Sequence, residues 1–270
     1  MKRNQRLRNI IRKIPGTILV FDISWKSLFT LKLFLGVLSS KFSLFIDRPF
    51  KYKNVRPKTS LVAITVSTNY SDLLKISLEA NYNWFDDWIV VTQEEDTKTR
   101  EVLAKYPEVR VLFWNPRKSG AVFDKGSGVR IGQRYAYEKH PNSWYLLIDS
   151  DIVLEGDPIT FANGLNHLSP QGLFGIQRWD YESIDDLKSK TNSKRYTDSE
   201  NFHGYFQLYS TPYLYTRSKD AGVCDLKFRA LFRERVMLTS PRGSHLGKES
   251  HWRGRPSTSD DFKTHPTNIV

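Results

Sequence analysis

From Thr59 onward the apolar residues alternate between two periods. SLVAITVST (60–68) is a short β-branched run suited to a buried parallel strand. YSDLLKISLEANYNWF (70–85) follows with helical spacing, its Leu73, Leu74, Ile76 and Leu78 available to cover a sheet. DDWIVVTQ predicts a second strand, EEDTKTREVLAKYP a second helix and VRVLFW a third strand. GSGVRIGQRYAYEKH then reads as a helix turning Val129, Ile131 and Tyr135 inward, and WYLLIDSDIVL as a strand ending in acidic residues. This βαβαβαβ order implies an α/β fold: a mostly parallel, doubly wound sheet flanked by helices, with ligands expected at the carboxyl ends of the strands.

After Pro158 the pattern is less regular. LFGIQRW and GYFQLYS predict strands, separated by a polar loop around Asp185–Asn201, and GVCDLKFRALFRERV predicts a helix. The stretch from Ser240 onward, with its glycines and histidines, reads as loop. No internal repeat is present.

Charge divides the chain differently. Residues 1–58 hold 14 basic and 2 acidic side chains, which account for the whole net charge of +12, and residues 59–270 are neutral. The opening MKRNQRLRNIIRKI is cationic, and the apolar stretch from Ile18 to Ile46 is interrupted by Asp22, Lys26, Lys32 and Lys41. Its longest uncharged piece, Leu33 to Ser40, falls far short of the ~20 residues that span a bilayer. Phe21, Trp25, Leu28, Phe29, Phe34, Leu35 and Leu38 would form one broad helical face flanked by Lys and Arg. Three readings stand: a helix in the interface of an anionic membrane, one packed on the neighbouring domain or on a partner, and, as the weakest, a nucleic-acid contact. Nothing in the segment specifies a nucleic-acid module. RPFKYKNVRPKTS is a linker, so the chain divides into a basic appendage (1–58), a main domain (59–255) and a tail (256–270). The single cysteine, Cys224, forms no internal disulfide and suits a reducing compartment, which points to the cytoplasm, at the membrane surface if the appendage is an anchor.

The strongest chemical signal is Asp149-Ser150-Asp151 after the apolar WYLLI. Two carboxylates flanking a small residue at a strand end can converge on Mg²⁺ or Mn²⁺ and so neutralise a nucleotide diphosphate. A lone D-x-D is a weak motif; a position after the fourth strand of a nucleotide-binding order makes it informative. Lys125 stands just before a predicted helix, where backbone N–H groups and positive charge favour phosphate. Gly126 and Gly128 allow either a close ligand approach or a tight entry into that helix. Asp96 could accept hydrogen bonds from a nucleoside or cap the next helix; Asp225 could act as a general base or cap its own helix. Trp179, Tyr181, Tyr205 and Gln207 are candidates for an acceptor site, with core packing the alternative for the aromatics.

Taken in order, these blocks resemble the GT-A glycosyltransferases, whose D-x-D motif holds a metal and a sugar nucleotide. VVTQEEDTKT resembles their nucleoside-side segment, with Thr92, Asp96 and Thr99 at matching places, and FDKGSGVRIGQ resembles the entry to the helix before the metal strand. LFGIQR, GYFQLYS, CDLKF and the pair HLG…HWRGR match later blocks, so the likeness covers residues 61–255. The resemblance implies a donor site of Thr65, Thr92, Asp96, Lys125, Asp149 and Ser150, and a metal held by Asp149, Asp151 and His245, with His251 as the alternate third ligand. Arg253 and Arg255 could pair with phosphate oxygens bidentately or merely solvate the tail. Asp225 matches the carboxylate that deprotonates the acceptor in inverting members, although Cys224 stands where a second acid is usual. The expected activity is metal-dependent transfer of a sugar from a nucleotide-sugar donor, UDP-linked, to a glycan, lipid-linked or protein hydroxyl. The alternatives are a sugar nucleotidyltransferase, whose long Gly-rich signature TVSTNYSD lacks, and a module that binds nucleotide sugars or carbohydrate without turnover.

Overall fold

A computed structural model describes residues 59–117, 121, 123–217 and 221–246. The appendage of residues 1–58, His251, Arg253, Arg255 and the tail therefore lie outside the described residues.

The elements follow the alternating pattern: β1 (Leu61–Val66), α1 (Ser71–Asn81), β2 (Asp87–Thr92), α2 (Thr97–Leu103), β3 (Arg110–Phe113), α3 (Lys125–Lys139) and β4 (Trp144–Ile148). β1 pairs in parallel with β2 and β4, and β2 in parallel with β3. The order β3-β2-β1-β4 is that of a doubly wound nucleotide-binding half. The alternation of side chains explains why these strands are apolar throughout. Leu61, Ala63, Leu146 and Ile148 share one core with Leu74 and Leu78 of α1; Val62, Ile64, Tyr145 and Leu147 share the opposite core with Val129 and Ala136 of α3.

The second half continues the same sheet. It comprises β5 (Ile152–Glu155), α4 (Pro158–Gly164), β6 (Leu173–Tyr181), α5 (Ile184–Ser189), β7 (Lys194–Arg195), β8 (Phe206–Tyr209), α6 (Cys224–Arg229) and β9 (Arg235–Leu246). The sheet runs β3-β2-β1-β4-β8-β6-β9-β5, with β7 added beside β6. Pairing is antiparallel for β4 with β8, β8 with β6 and β5 with β9, and parallel for β6 with β9.

Four local expectations are corrected. WYLLIDSDIVL is two strands, since the chain turns at Asp149–Asp151 and β5 leaves for the far edge of the sheet. Residues 240–246 are the end of β9, not loop: β5 on one side and β6 on the other pair with its backbone. The polar segment around Asp185–Asn201 contains α5 and β7, with Ser183 capping α5 through Asp186 N. On α3 the buried face is Gly126, Val129, Arg130, Gln133 and Ala136, whereas Ile131 and Tyr135 are only half-buried. No helix among the described residues is long and apolar enough to cross a membrane.

Candidate active site

The turn Asp149-Ser150-Asp151 is fixed from three directions. Asp149 N donates to Tyr205 O (3.3 Å), Ser77 Oγ donates to Ser150 O (2.8 Å), and Leu246 N donates to Asp151 O (3.0 Å). These contacts join α1, the turn before β8, and β9 around the end of β4. A cavity of about 330 Å³ opens beside the turn, lined at one end by Lys125, Asp149 and Asp225 and at the other by Asp151, His245 and Arg178.

At the first end, Lys125 is the first residue of α3, one place inside the expected boundary, with Asp124 as the N-cap. Its Nζ donates to Asp149 Oδ1 at 2.8 Å and lies 3.9 Å from Asp225 Oδ1. Burial pulls the lysine pKa down, but the two carboxylates outweigh it and the group is held well above its ordinary value. Burial, reinforced by the charges of Asp151 and Asp225, raises Asp149 even against Lys125. Asp225 does not cap α6: the N-cap is Val223, and no side chain caps the helix. Instead its Oδ2 accepts from Gly204 N (2.8 Å) and its Oδ1 from Tyr215 OH (2.5 Å). Burial pushes its pKa up, but Lys125, Tyr215 and the Gly204 amide together hold it below the usual carboxylate value. Cys224 beside it is buried, and burial raises its thiol well above the ordinary value, so it offers no thiolate.

At the second end, β9 carries His245, which is only 3% exposed. Its Nε2 lies 3.4 Å from Asp151 Oδ2, and its Nδ1 lies 3.1 Å from Asp180 Oδ1 without aligning for a hydrogen bond. Burial favours the neutral ring, but the two carboxylates outweigh it and raise the histidine to about 9. Burial likewise pushes Asp151 up, and His245 and Arg178 bring it below its ordinary value.

The expected site residues therefore separate. Lys125, Asp149, Ser150, Asp151, Asp225 and His245 share one cavity. The three expected metal ligands are not gathered as one set: Asp149 is turned to Lys125, and among the described residues no group of three or more His, Cys, Asp or Glu is placed to hold an ion. Asp151 and His245 remain as an oxygen–nitrogen pair.

Thr65 lies outside the cavity lining, its Oγ1 accepting from Trp88 Nε1 (3.0 Å). Thr92 is fully buried away from the cavity. Asp96 caps α2 through Thr99 N (3.1 Å) and accepts from Asn69 N (2.6 Å), so both its oxygens are engaged by backbone. Gly126 and Gly128 serve packing: a Cβ at Gly126 would collide with the Thr216 carbonyl oxygen, and one at Gly128 would sit 3.0 Å from the Trp114 ring. Of the four expected acceptor residues only Tyr205 lines the cavity. Trp179 and Tyr181 pack with Leu73 and Leu246, and Gln207 Nε2 donates to Phe202 O (2.6 Å).

Sequence reading missed Thr68, Tyr196, His203, Arg178 and Asp180. The first four line the cavity, and Asp180 stands behind His245. For Arg178 and Asp180 a signal was available: two charges at i and i+2 on a strand share a face, which is unusual in an otherwise apolar run.

No protein-family model and no curated protein matches the chain. Among solved structures it is similar to a mannosyltransferase of Pyrobaculum calidifontis in complex with GDP-Man and Mn²⁺, at 14% identity and a TM-score of 0.47, covering 82% of this chain and 66% of that one. It is also similar to GalNAc-T7 with UDP, GalNAc and Mn²⁺ (11% identity, TM-score 0.46, 89% and 58% covered). A third is a nucleotidyl transferase of Methanothermobacter thermautotroptrophicus (15% identity, TM-score 0.33, 45% and 66% covered). The chain thus spans less than two thirds of the length of each. Overlap this loose leaves the chemistry of the site to its own geometry.

Proposed function

We propose that the chain is a GT-A glycosyltransferase that moves a sugar from a nucleotide-diphosphate donor, UDP-linked, to an acceptor hydroxyl with inversion. The observation that carries this reading is the convergence of Lys125, Asp149, Asp151, Asp225 and His245 on one cavity beside the ends of β1 and β4. Doubly wound sheets bind nucleotides at that edge.

Asp151 and His245 fit a divalent cation by the chemistry of their donors. A carboxylate oxygen with an imidazole nitrogen suits Mn²⁺ better than Mg²⁺, which prefers oxygen alone. Such an ion, when bound, would neutralise charge on the departing diphosphate. Lys125 adds a fixed positive charge from the other end of the cavity. Thr68 supports a nucleoside or ribose contact, because its buried hydroxyl has no partner among the described residues and the residue lines the cavity.

Asp225 is the proposed base. Gly204 N and Tyr215 OH fix its two oxygens, and its lowered pKa keeps it ionised at neutral pH. As the acceptor oxygen bonds to the anomeric carbon, the carbon–oxygen bond to the diphosphate breaks with its electron pair leaving on phosphate. The acceptor proton passes to Asp225. Residues 1–58 are proposed to hold the enzyme at anionic lipid, supported by their charge of +12.

Calorimetry with UDP, with and without Mn²⁺, followed by a product assay over a panel of UDP-sugars, tests the reading. Metal-enhanced UDP binding and turnover are expected. Binding without turnover would make the protein a nucleotide-sugar-binding module, and the absence of both would overturn the assignment.

A further inference from the structure

Arg178 differs from the other charged groups of the cavity in how it is held. It is 9% exposed, and three independent features fix its side chain. Nε donates to Asp180 Oδ1 at 2.7 Å; the guanidinium carbon stands 4.0 Å from the centre of the Tyr196 ring; and Tyr205 presents a second ring at 5.2 Å. The aromatic frame is itself fixed, since Tyr205 OH donates to Ile176 O (2.7 Å) and the Tyr196 and Tyr205 rings meet edge to face. Strand register adds to this. Arg178 and Asp180 share one face of β6, and Asp180 is the register partner of His245 on β9. The one hydrogen bond among these contacts of the guanidinium is made by Nε. Nη1 and Nη2 have no hydrogen-bond partner among the described residues, on a side chain 11% exposed that lines the cavity.

Arg178 lines the cavity, and its two free nitrogens are donors that a ligand there can use. The complementary group is an oxyanion with two oxygens in one plane, which a guanidinium edge recognises bidentately. The charges around it set its place. Arg178 acts on Asp151, Asp180 and His245, whereas Lys125 acts on Asp149 and Asp225, so the two cations act on different carboxylates of the cavity.

We propose that Arg178 is a preorganised oxyanion receptor, binding a phosphate or carboxylate of the substrate through Nη1 and Nη2 without help from a metal. Two substrate groups have this chemistry: the diphosphate of the donor, and an acidic group on the acceptor. The inference rests on the transferase reading only for naming those two sources.

The test is calorimetry on the full chain with chelator present, so that no metal contributes. Wild type, Arg178→Gln and Arg178→Lys are titrated with pyrophosphate, UDP, uridine, glucose, glucuronate and glucose 6-phosphate, with melting curves to verify folding. Arg178→Gln should weaken the anionic probes by at least about tenfold and leave uridine and glucose unchanged. Arg178→Lys should recover part of the loss, because charge returns without the fork. A loss confined to pyrophosphate and UDP assigns the receptor to the donor diphosphate. A loss confined to glucuronate or glucose 6-phosphate assigns it to an acidic acceptor. If folded Arg178→Gln binds every anionic probe as wild type does, or if wild type binds none, the receptor is overturned. Turnover or metal-enhanced UDP binding in that protein would leave the transferase reading standing without it.

Discussion

Asp180 and His245 are register partners across the parallel ladder of β6 and β9, with Asp180 Oδ1 3.1 Å from His245 Nδ1. Asp151 approaches the other nitrogen at 3.4 Å, so the imidazole stands between a carboxylate behind it and one at the cavity. Two carboxylates flanking one imidazole favour its charged form.

This arrangement has a pH signature in the metal-free protein. His245 is raised to about 9, above its ordinary 6.5. Its contribution to stability is therefore complete below about pH 6.5 and is lost as pH rises through 9. Chemical denaturation in chelator, from pH 6 to 10, should show wild type losing stability across that window relative to His245→Gln. Parallel curves would mean the imidazole carries no charge between the two acids.

Asp151→Ala should abolish metal-dependent nucleotide-sugar turnover while the protein stays folded. Asp151 contributes its backbone oxygen to Leu246 N, which the substitution keeps, and its side chain faces the cavity and His245. Turnover assays beside a melting curve measure both effects. Undiminished turnover would remove Asp151 from the site.

Asp225→Asn should lower transfer by roughly 10²–10⁴-fold while UDP affinity is retained, since only the proton acceptor is removed. An equal loss of UDP affinity would instead make Asp225 a donor contact. Gly204→Ala probes the same group indirectly. A Cβ there would lie 2.5 Å from Asp225 Oδ2, so the carboxylate must move. Transfer should fall as in Asp225→Asn, with a stability loss of about 1–3 kcal/mol from overpacking.

How much of this was legible follows from what each residue needs. Asp149-Ser150-Asp151 could be read because an apolar strand ends there, which is a local property of WYLLI. The role of Asp225 as something other than a cap needed the positions of Gly204 and Tyr215, 21 and 10 residues away. His245 lies in a stretch whose glycines and histidines read as loop, yet pairing on both edges makes the segment a strand and buries the ring. Arg178 and Asp180 depend on the register of β6 against β9, which includes an irregularity between Ile176 and Arg178 that no sequence period encodes. Thr65 has the composition of a ligand contact, but its hydroxyl meets Trp88 of the neighbouring strand.

Residues 1–58 carry the whole net charge of +12 alongside a broad apolar set. Lysine and arginine beside apolar side chains bind anionic lipid through two additive effects, and salt weakens only the electrostatic part. The full chain should therefore sediment with vesicles containing phosphatidylserine, less so as salt rises, and poorly with neutral vesicles. A chain beginning at Thr59 should lose that association and keep nucleotide binding, because β1 opens the sheet at Leu61 and the cavity is lined by residues from Val66 to His245. Sedimentation and thermal melting of both proteins separate the alternatives. If the full chain ignores anionic vesicles and the shortened chain melts at a much lower temperature, the segment packs on the domain and the lipid reading fails. If the full chain binds vesicles and the shortened chain melts unchanged, the appendage is an anchor that keeps the cavity close to acceptors at the membrane surface.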